Sequence, residues 1–291
     1  VGELKSEYNA ILHKYNLNKY PPKIKKLFKA KNISDIFGKD LDKYTDIRTL
    51  NVVSIDPPNC TDIDDALSIE TNSEGHLIGI HIANVSAFIE KFDLFEKIIE
   101  RCTTVYAPHK KINMIPNILS DNFASLLEGK ERISLTLWIH IDNDFNITGY
   151  KFQECLLVNK KAYSYNKAQK NLKKDKTLQS LYNISKHLAK NINYNYDEYD
   201  MHKMIEVYMI LANHLTAKHL IENNSPCIFR THKSREHNID FKSIDTKLIP
   251  FLKIFQSNAA EYTTYQGDYY HYGLNIHKYT HFTSPIRRLP D

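Results

Sequence analysis

Residues 53–66 read Val53-Ser54-Ile55-Asp56-Pro57-Pro58-Asn59-Cys60-Thr61-Asp62-Ile63-Asp64-Asp65-Ala66 and set Asp56, Asp62, Asp64 and Asp65 close behind a short apolar run. Four carboxylates in so little chain repel one another and are costly to desolvate unless hard divalent cations or solvent neutralise them. Val52-Val53-Ser54-Ile55 predicts a strand, so the acids fall at a strand end and in the loop that follows. Clustered Asp at such a junction suits two divalent ions. Each carboxylate reaches one ion or bridges both, and ions about 4 Å apart clamp the attacking and leaving oxygens of a phosphodiester. Mg²⁺, with Mn²⁺ as its substitute, is the expected cofactor, because it prefers oxygen ligands, retains waters and completes its shell with substrate phosphate.

Three other readings compete for the same acids. An EF-hand loop needs Gly at its sixth position and Glu at its twelfth, and counting from Asp62 the sixth residue is Leu67. The Asp62-Ile63-Asp64 pattern also occurs in metal-dependent enzymes that use nucleotide sugars. Acids that cap turns and face solvent explain one or two Asp, not four flanking Pro57-Pro58.

The rest of the chain frames this site. Its 291 residues are 42% hydrophobic and 25% charged, which predicts an ordered globular protein with a sizeable core. The net charge of +5 is compatible with a nucleic-acid partner without demanding one. Lys is dense at 23–32, 160–176 and 186–190, and 19 Tyr suit a surface that holds phosphates and stacks bases, although a solvated Lys-rich face reads the same way. Cys60, Cys102, Cys155 and Cys227 form no C-x-x-C pair, which argues against both a zinc site and a disulfide framework. No stretch approaches the about 20 apolar residues of a membrane span, and the N-terminus lacks the core of a signal peptide. A soluble intracellular protein, cytoplasmic or nuclear and without a membrane partner, is expected.

Residues 4–15 carry Leu4, Tyr8, Ile11, Leu12 and Tyr15 at helical spacing before Tyr20-Pro21-Pro22 breaks the pattern. Strands are predicted around 66–69, 78–82 and 135–141, and helices at 94–99, beyond Tyr165 and over 201–221. Fourteen His invite a metal, yet His214 and His219 are five apart and no H-E-x-x-H occurs. A G-x-S-x-G elbow and a P-loop are likewise missing.

Ser54-Ile55-Asp56-Pro57-Pro58, Cys60-Thr61-Asp62-Ile63-Asp64-Asp65-Ala66-Leu67, Gly79 to Ile89, Thr103-Thr104-Val105-Tyr106, Lys111 to Pro116, Leu119-Ser120, His271-Tyr272-Gly273-Leu274 and Tyr279-Thr280-His281-Phe282-Thr283-Ser284-Pro285-Ile286-Arg287-Arg288 follow in one order. Together they resemble the RNase II/RNase R (RNB) exoribonucleases, in particular their eukaryotic exosome (Rrp44/Dis3) branch. The resemblance covers most of the chain. It implies a mixed α/β (α+β) catalytic domain, a twisted mixed sheet surrounded by helices that form an RNA channel. This domain would span 51–291, after a helical lead-in at 1–50. The implied activity is Mg²⁺-dependent 3′→5′ hydrolysis of single-stranded RNA to nucleoside 5′-monophosphates.

By the same resemblance, Asp56, Asp62, Asp64 and Asp65 are the metal-holding catalytic acids, and Arg287 stabilises the phosphate as negative charge develops, which suits a planar multi-donor guanidinium. Tyr106 and Tyr165 match positions that stack on bases. Glu206, His281, Thr283, Ser284 and Arg288 complete the expected RNA contacts, with His271 lining or bracing the same region. Asn213 lies seven residues beyond Glu206, on the same helical face.

Three departures qualify the likeness. Asn84 stands where the family has Asp in its His-Ile-Ala-Asp block; it keeps the shape and one acceptor but loses the charge, so a support role with altered electrostatics is expected. Residues 187–200 are short beside the family's Arg- and Gly-rich segment, which removes part of a channel wall and one aromatic. The family's flanking OB-type modules and its helices beyond Arg287-Arg288-Leu289-Pro290-Asp291 have no counterpart here, so a fragment or a reduced homologue is expected, with RNA affinity that is weaker and more salt-sensitive. These departures motivate the alternative, a catalytically weak or inactive RNA-binding scaffold, and leave open an exosome-like complex or separate RNA-binding modules as partners.

Overall fold

The β-branched strand that precedes the acids lies inside a mixed sheet. A computed structural model describes residues 3–14, 29–107, 110–192, 194, 198–233, 244, 245, 248, 249, 259–264 and 269–291. The chain divides into two compact units, Val1–Asn183 with Thr283–Asp291, and Ile184–Phe282. Tyr15, the Tyr20-Pro21-Pro22 break, most of the Lys-rich run at 23–32 and residues 193 and 195–197 of the shortened segment lie outside the described residues.

The first unit opens with helices α1 (Leu4–Lys14) and α2 (Ser34–Phe37), then a 3-10 turn over Gly38–Lys43. Six strands follow: β1 (Thr45–Asp46), β2 (Val52–Asp56), β3 (Asp65–Asn72), β4 (Gly75–Ala83), and, after the small hairpin of β5 (Val105–Ala107) and β6 (Lys110–Ile112), β7 (Glu131–Ile141) and β8 (Ile147–Ser164). They pair in the order β1-β8-β2-β3-β4-β7, and β7 pairs also with β8, so β2, β3, β4, β7 and β8 close a ring. The long β8 makes the closure. It runs antiparallel to β7 up to Val158 and parallel to β2 from Asn159 to Ser164. Such closure covers strand edges that would otherwise invite pairing with another chain.

The β3–β4 hairpin turns at Gly75, where φ is +139° and a Cβ would stand 2.1 Å from the carbonyl oxygen of Ile141. Residues 79–89, which form one block of the family resemblance, divide in two. The strand ends at Ala83, and α3 (Val85–Phe92) begins because the Asn84 side chain accepts a bond from the Ala87 amide as an N-cap. The Asn84 Nδ2 also donates to Glu154 Oε1 at 2.9 Å. Asn84 thus keeps the support role expected of it, beside a Glu154 carboxylate that an Asp at this position would repel. Helix α4 (Phe95–Ile99) follows. The core gathers Ile33, Phe37, Phe88, Leu94, Trp138 and Leu157, with Ile286 from the end of the chain. After β8 come α5 (Tyr165–Asn171) and α6 (Lys176–Asn191), and the unit boundary falls within α6.

The second unit is built on α7 (Met201–Glu222), where Met204, Val207, Tyr208, Leu211 and Leu215 are all buried. Asp200 caps it by accepting from the Lys203 amide. Strands β9 (Ile228–Thr231) and β10 (Glu261–Thr264) form one antiparallel pair, and β11 (Tyr270–His271) and β12 (Ile276–His277) another. Ile210 packs with Ile276 and Tyr279, and Ala217 with Phe229 and Tyr269, whose rings stack at 4.4 Å. Among the described residues, no helix is long and apolar enough to cross a membrane.

Candidate active site

Backbone bonds hold the acidic loop in place. The Cys60 amide donates to the Pro57 carbonyl at 3.2 Å, and Asn59 takes a φ of +64°, a left-handed turn that Asn tolerates. The Ile63 amide donates to Ser125 Oγ at 2.8 Å, the Leu126 amide to the Ile63 carbonyl at 3.0 Å, and the Ala83 amide to the Asp64 carbonyl at 2.8 Å. Asp56 ends β2 opposite Ser164 of β8, and Asp65 starts β3 opposite Ile82 of β4. Two strands and one pinned loop therefore place each of the four carboxylates within reach of the charge of at least one other.

Their environments differ. Burial, then the charges of Asp65 and Asp62, pushes the Asp56 carboxyl up to about 8, although the Ser54 hydroxyl acts the other way. Its Oδ2 is buried without a hydrogen-bond partner. Burial and the neighbouring Asp64 raise Asp65 to about 7, against the opposing pull of Arg287. Asp64, 6% exposed, is raised to about 8 by burial, and the Ile286 amide and Arg287 only partly offset it. Its Oδ1 accepts from the Ile286 amide at 2.8 Å and its Oδ2 faces Arg287 Nε at 3.6 Å, so both oxygens tie the acidic loop to the arginine turn. Asp62 pairs instead with Lys111 Nζ at 2.9 Å.

Arg287 sits in a turn braced from several directions. The Thr104 amide and the Thr103 hydroxyl donate to its carbonyl at 2.9 and 3.0 Å, and its Nη2 donates to Ser284 Oγ at 2.9 Å. Asp291 Oδ2 accepts from the Ser284 amide at 2.8 Å and from Arg288 Nη2 at 2.6 Å. Thr283 and Ser284 are buried, and Arg288 is committed to Asp291, so of the expected RNA contacts in this turn Arg287 is the most exposed. Tyr106 is 61% exposed, and the charges of Asp62, Arg287, Lys111 and Asp64 all act on its phenol, which places an exposed aromatic side chain beside the acids. Tyr165 begins α5 one residue after Ser164, the strand partner of Asp56.

Glu206 and His281 belong to the second unit. Glu206 accepts from Lys203 Nζ at 2.9 Å, and that ammonium also donates to the Tyr194 hydroxyl at 2.9 Å. His281 Nδ1 and the Tyr262 hydroxyl are bonded at 2.7 Å. His271, half-buried and beside His232, is pushed down to about 4. Asn213 is internal, donating to the Tyr279 hydroxyl at 2.9 Å and accepting from the Phe282 amide at 2.8 Å.

Lys111, Ser125 and Asp291 position this site and were not foreseen as doing so. For Lys111 a signal existed: in an antiparallel hairpin it stands directly opposite Tyr106. Ser125 and Asp291 bond backbone amides, and that leaves no trace in a motif.

Whether a cation fits can be judged from the donors. Every candidate ligand is a carboxylate oxygen, the hard donor that Mg²⁺ and Mn²⁺ prefer, and the orphaned Asp56 Oδ2 together with three raised carboxyls is a site short of positive charge. The donor set fits. Among the described residues, no three His, Cys, Asp or Glu side chains form a ready-made cation shell.

A family model described as "RNB domain" matches residues 44–291. The human protein named "Exosome complex exonuclease RRP44" is 29% identical, over all of this chain and 38% of its own length. Among solved structures, RNase R of Mycoplasma genitalium in complex with ribose-methylated single-stranded RNA superposes with a TM-score of 0.78 at 19% identity, over 97% of this chain and 55% of that one. Yeast Ssd1, titled a pseudonuclease, superposes at 0.74 and 18% identity, over 87% of this chain and 40% of its own. This chain thus spans about half or less of the length of these proteins. The closed sheet, the acidic loop and the match over 44–291 agree: the chain belongs to the RNB domain family.

Proposed function

We propose that this chain carries the catalytic centre of a 3′→5′ exoribonuclease that hydrolyses single-stranded RNA to nucleoside 5′-monophosphates. The observation that carries the reading is the convergence of Asp56, Asp62, Asp64 and Asp65 with Arg287, beside the exposed ring of Tyr106. Mg²⁺, or Mn²⁺ in its place, would be held by Asp56, Asp62 and Asp65, with Asp64 orienting Arg287. Two such ions, when bound, neutralise the carboxylates, polarise the attacking water and stabilise charge on the phosphate.

The chain's own residues then divide the remaining work. Water adds to the phosphorus of the last phosphodiester, the bond to the 3′ oxygen of the preceding nucleotide breaks, and that oxygen leaves with a proton. Arg287, held by Asp64 and Ser284, offers its remaining donors to the phosphoryl oxygens. Tyr106 and Tyr165 support the bases by stacking, which is indifferent to sequence because every base has a π-face. Residues 51–291 would form this catalytic part, and an exosome-like complex or separate RNA-binding modules are its proposed partners.

Incubating the purified chain with 5′-labelled single-stranded RNA, in Mg²⁺ or in EDTA, tests the reading. A shortening ladder and free mononucleotides in Mg²⁺ alone are expected. The Lys111 ammonium, already paired with Asp62 at 2.9 Å, favours a second reading, an RNA-binding scaffold without turnover. Binding with no metal-dependent product would establish it.

A further inference from the structure

One carboxylate of the acidic cluster is already paired with a lysine. Lys111 lies on β6 directly opposite Tyr106 of β5, so the hairpin presents both side chains on one face. Its Nζ is 2.9 Å from Asp62 Oδ1 and 3.7 Å from Asp121 Oδ1. Asp121 is itself fixed, accepting from Ser120 Oγ at 2.9 Å and from Asn113 Nδ2 at 3.1 Å. The ammonium is therefore held between two carboxylates from different segments, with its side chain 29% exposed.

The cluster is lopsided as a result. Asp62 Oδ1 has a cation, whereas Asp56 Oδ2 is buried with no partner. An ammonium at 2.9 Å occupies one of the oxygen sites that a hard cation would use, and its charge repels that cation across the cluster.

We propose that Lys111 is a positioning residue that holds Asp62 as an internal counter-cation and competes with the divalent ion for Asp62 Oδ1. The inference rests on the metal-dependent reading of the acids. Lys111 keeps the loop in place before the ion arrives, and by yielding Asp62 it sets how tightly the ion is held.

Direct titration of the whole chain with Mn²⁺, followed by electron paramagnetic resonance and by calorimetry, tests this without reference to turnover. Lys111→Met, which keeps the stem and removes the charge, should bind Mn²⁺ about fivefold tighter than wild type, the scale of a partly exposed ion pair. Lys111→Arg, which restores the charge, should stay within about twofold. Unchanged or weaker Mn²⁺ binding by Lys111→Met, with its circular dichroism unaltered, overturns the proposal. So does a higher KM for RNA at unchanged Mn²⁺ affinity, which would assign Lys111 to a substrate phosphate. Asp56→Asn separates the two levels: Mn²⁺ binding indifferent to it defeats the metal-dependent reading, and the role of Lys111 with it. Sensitivity to Asp56→Asn without sensitivity to Lys111→Met defeats the role of Lys111 alone.

Discussion

Two buried polar groups share the closed sheet and are treated in opposite ways. At its middle, His81 on β4 bonds Thr136 Oγ1 through Nδ1 and Ser68 Oγ through Nε2, both at 2.9 Å, and Ser134 Oγ meets Thr136 Oγ1 at 3.0 Å. Both ring nitrogens are satisfied, and burial holds the ring neutral, with its pKa pushed down to about 3. Gly79 makes room for it: a Cβ there would stand 2.6 Å from Ser68 Oγ and 2.7 Å from His81 Cε1. At the strand ends, Asp64 is buried and Asp56 and Asp65 are half-buried, yet the buried Asp56 Oδ2 has no partner and all three carboxyls are raised. A buried network with every valence met stabilises a fold, whereas a buried cluster short of positive charge costs stability and points to a ligand.

The sharpest way to break that contrast is to neutralise the acidic end. Asp65→Asn keeps the shape and removes the charge. Release of mononucleotides from labelled RNA should fall on the order of a thousandfold or more, as expected when several kcal/mol of charge stabilisation is lost. The metal-free variant should unfold in urea no earlier than wild type, because a half-buried, repelled carboxylate has gone. Turnover equal to wild type would show that the cluster is structural after all. At the other site the effects should be reversed. His81→Ala leaves two hydroxyls without their partner and opens a cavity, so a loss of roughly 2–4 kcal/mol is expected from urea unfolding, with the activity per folded molecule retained. A loss below about 0.5 kcal/mol would mean that the His81 network is not what holds the sheet.

The two sites were not equally legible in the sequence. The acidic loop could be read because charge density in a short stretch has few stable explanations, and the strand of Val52 to Ile55 before it followed from β-branched residues. His81 lay within a quoted block, but nothing local distinguishes a histidine that meets Ser68 and Thr136 across two neighbouring strands. The strands at 78–82 and 135–141 alternate cleanly and were found. β8 was not, because its burial changes along 18 residues as its partners change from β7 to β2, which leaves no steady period to detect. The helix at Val85 is concealed because an Asn in the family's Asp position reads in sequence as a lost charge, and its capping of the Ala87 amide shows only in the fold. The pairing of Asp64 with the amide of Ile286 depends on residues 222 positions apart, which only the folded chain brings together.

Asn84 offers a smaller test of the same contrast. Its side chain is satisfied on both sides, by the start of α3 and by Glu154. Asn84→Asp restores the family's residue and still caps the helix, but it exchanges a donated bond for a charge against Glu154. A loss of about 1 kcal/mol in urea unfolding is expected, and Glu154→Gln in the same chain should recover most of it. Without that recovery, Glu154 is not the reason this chain tolerates Asn.

The mildest probe is pH, because the two sites respond with opposite signs. The folded carboxyls near 8, 8 and 7 lie above the ordinary 3.8, so the folded state keeps protons that the unfolded chain has released. Their contribution to metal-free stability is greatest below about pH 4 and falls as pH rises towards 8. His81, near 3 against an ordinary 6.5, contributes fully above 6.5, and that contribution is lost as pH falls towards 3. Between pH 6 and pH 8 the acids therefore dominate, and metal-free stability should decline. A divalent ion favours the ionised carboxylates, so the rise in Tm on adding Mg²⁺ should be larger at pH 8 than at pH 6, and smaller at both in Asp65→Asn. An equal Mg²⁺ shift at the two pH values would mean that ion binding is not drawing protons from these carboxyls, and would remove the electrostatic reason for separating the acidic end of the sheet from its satisfied middle.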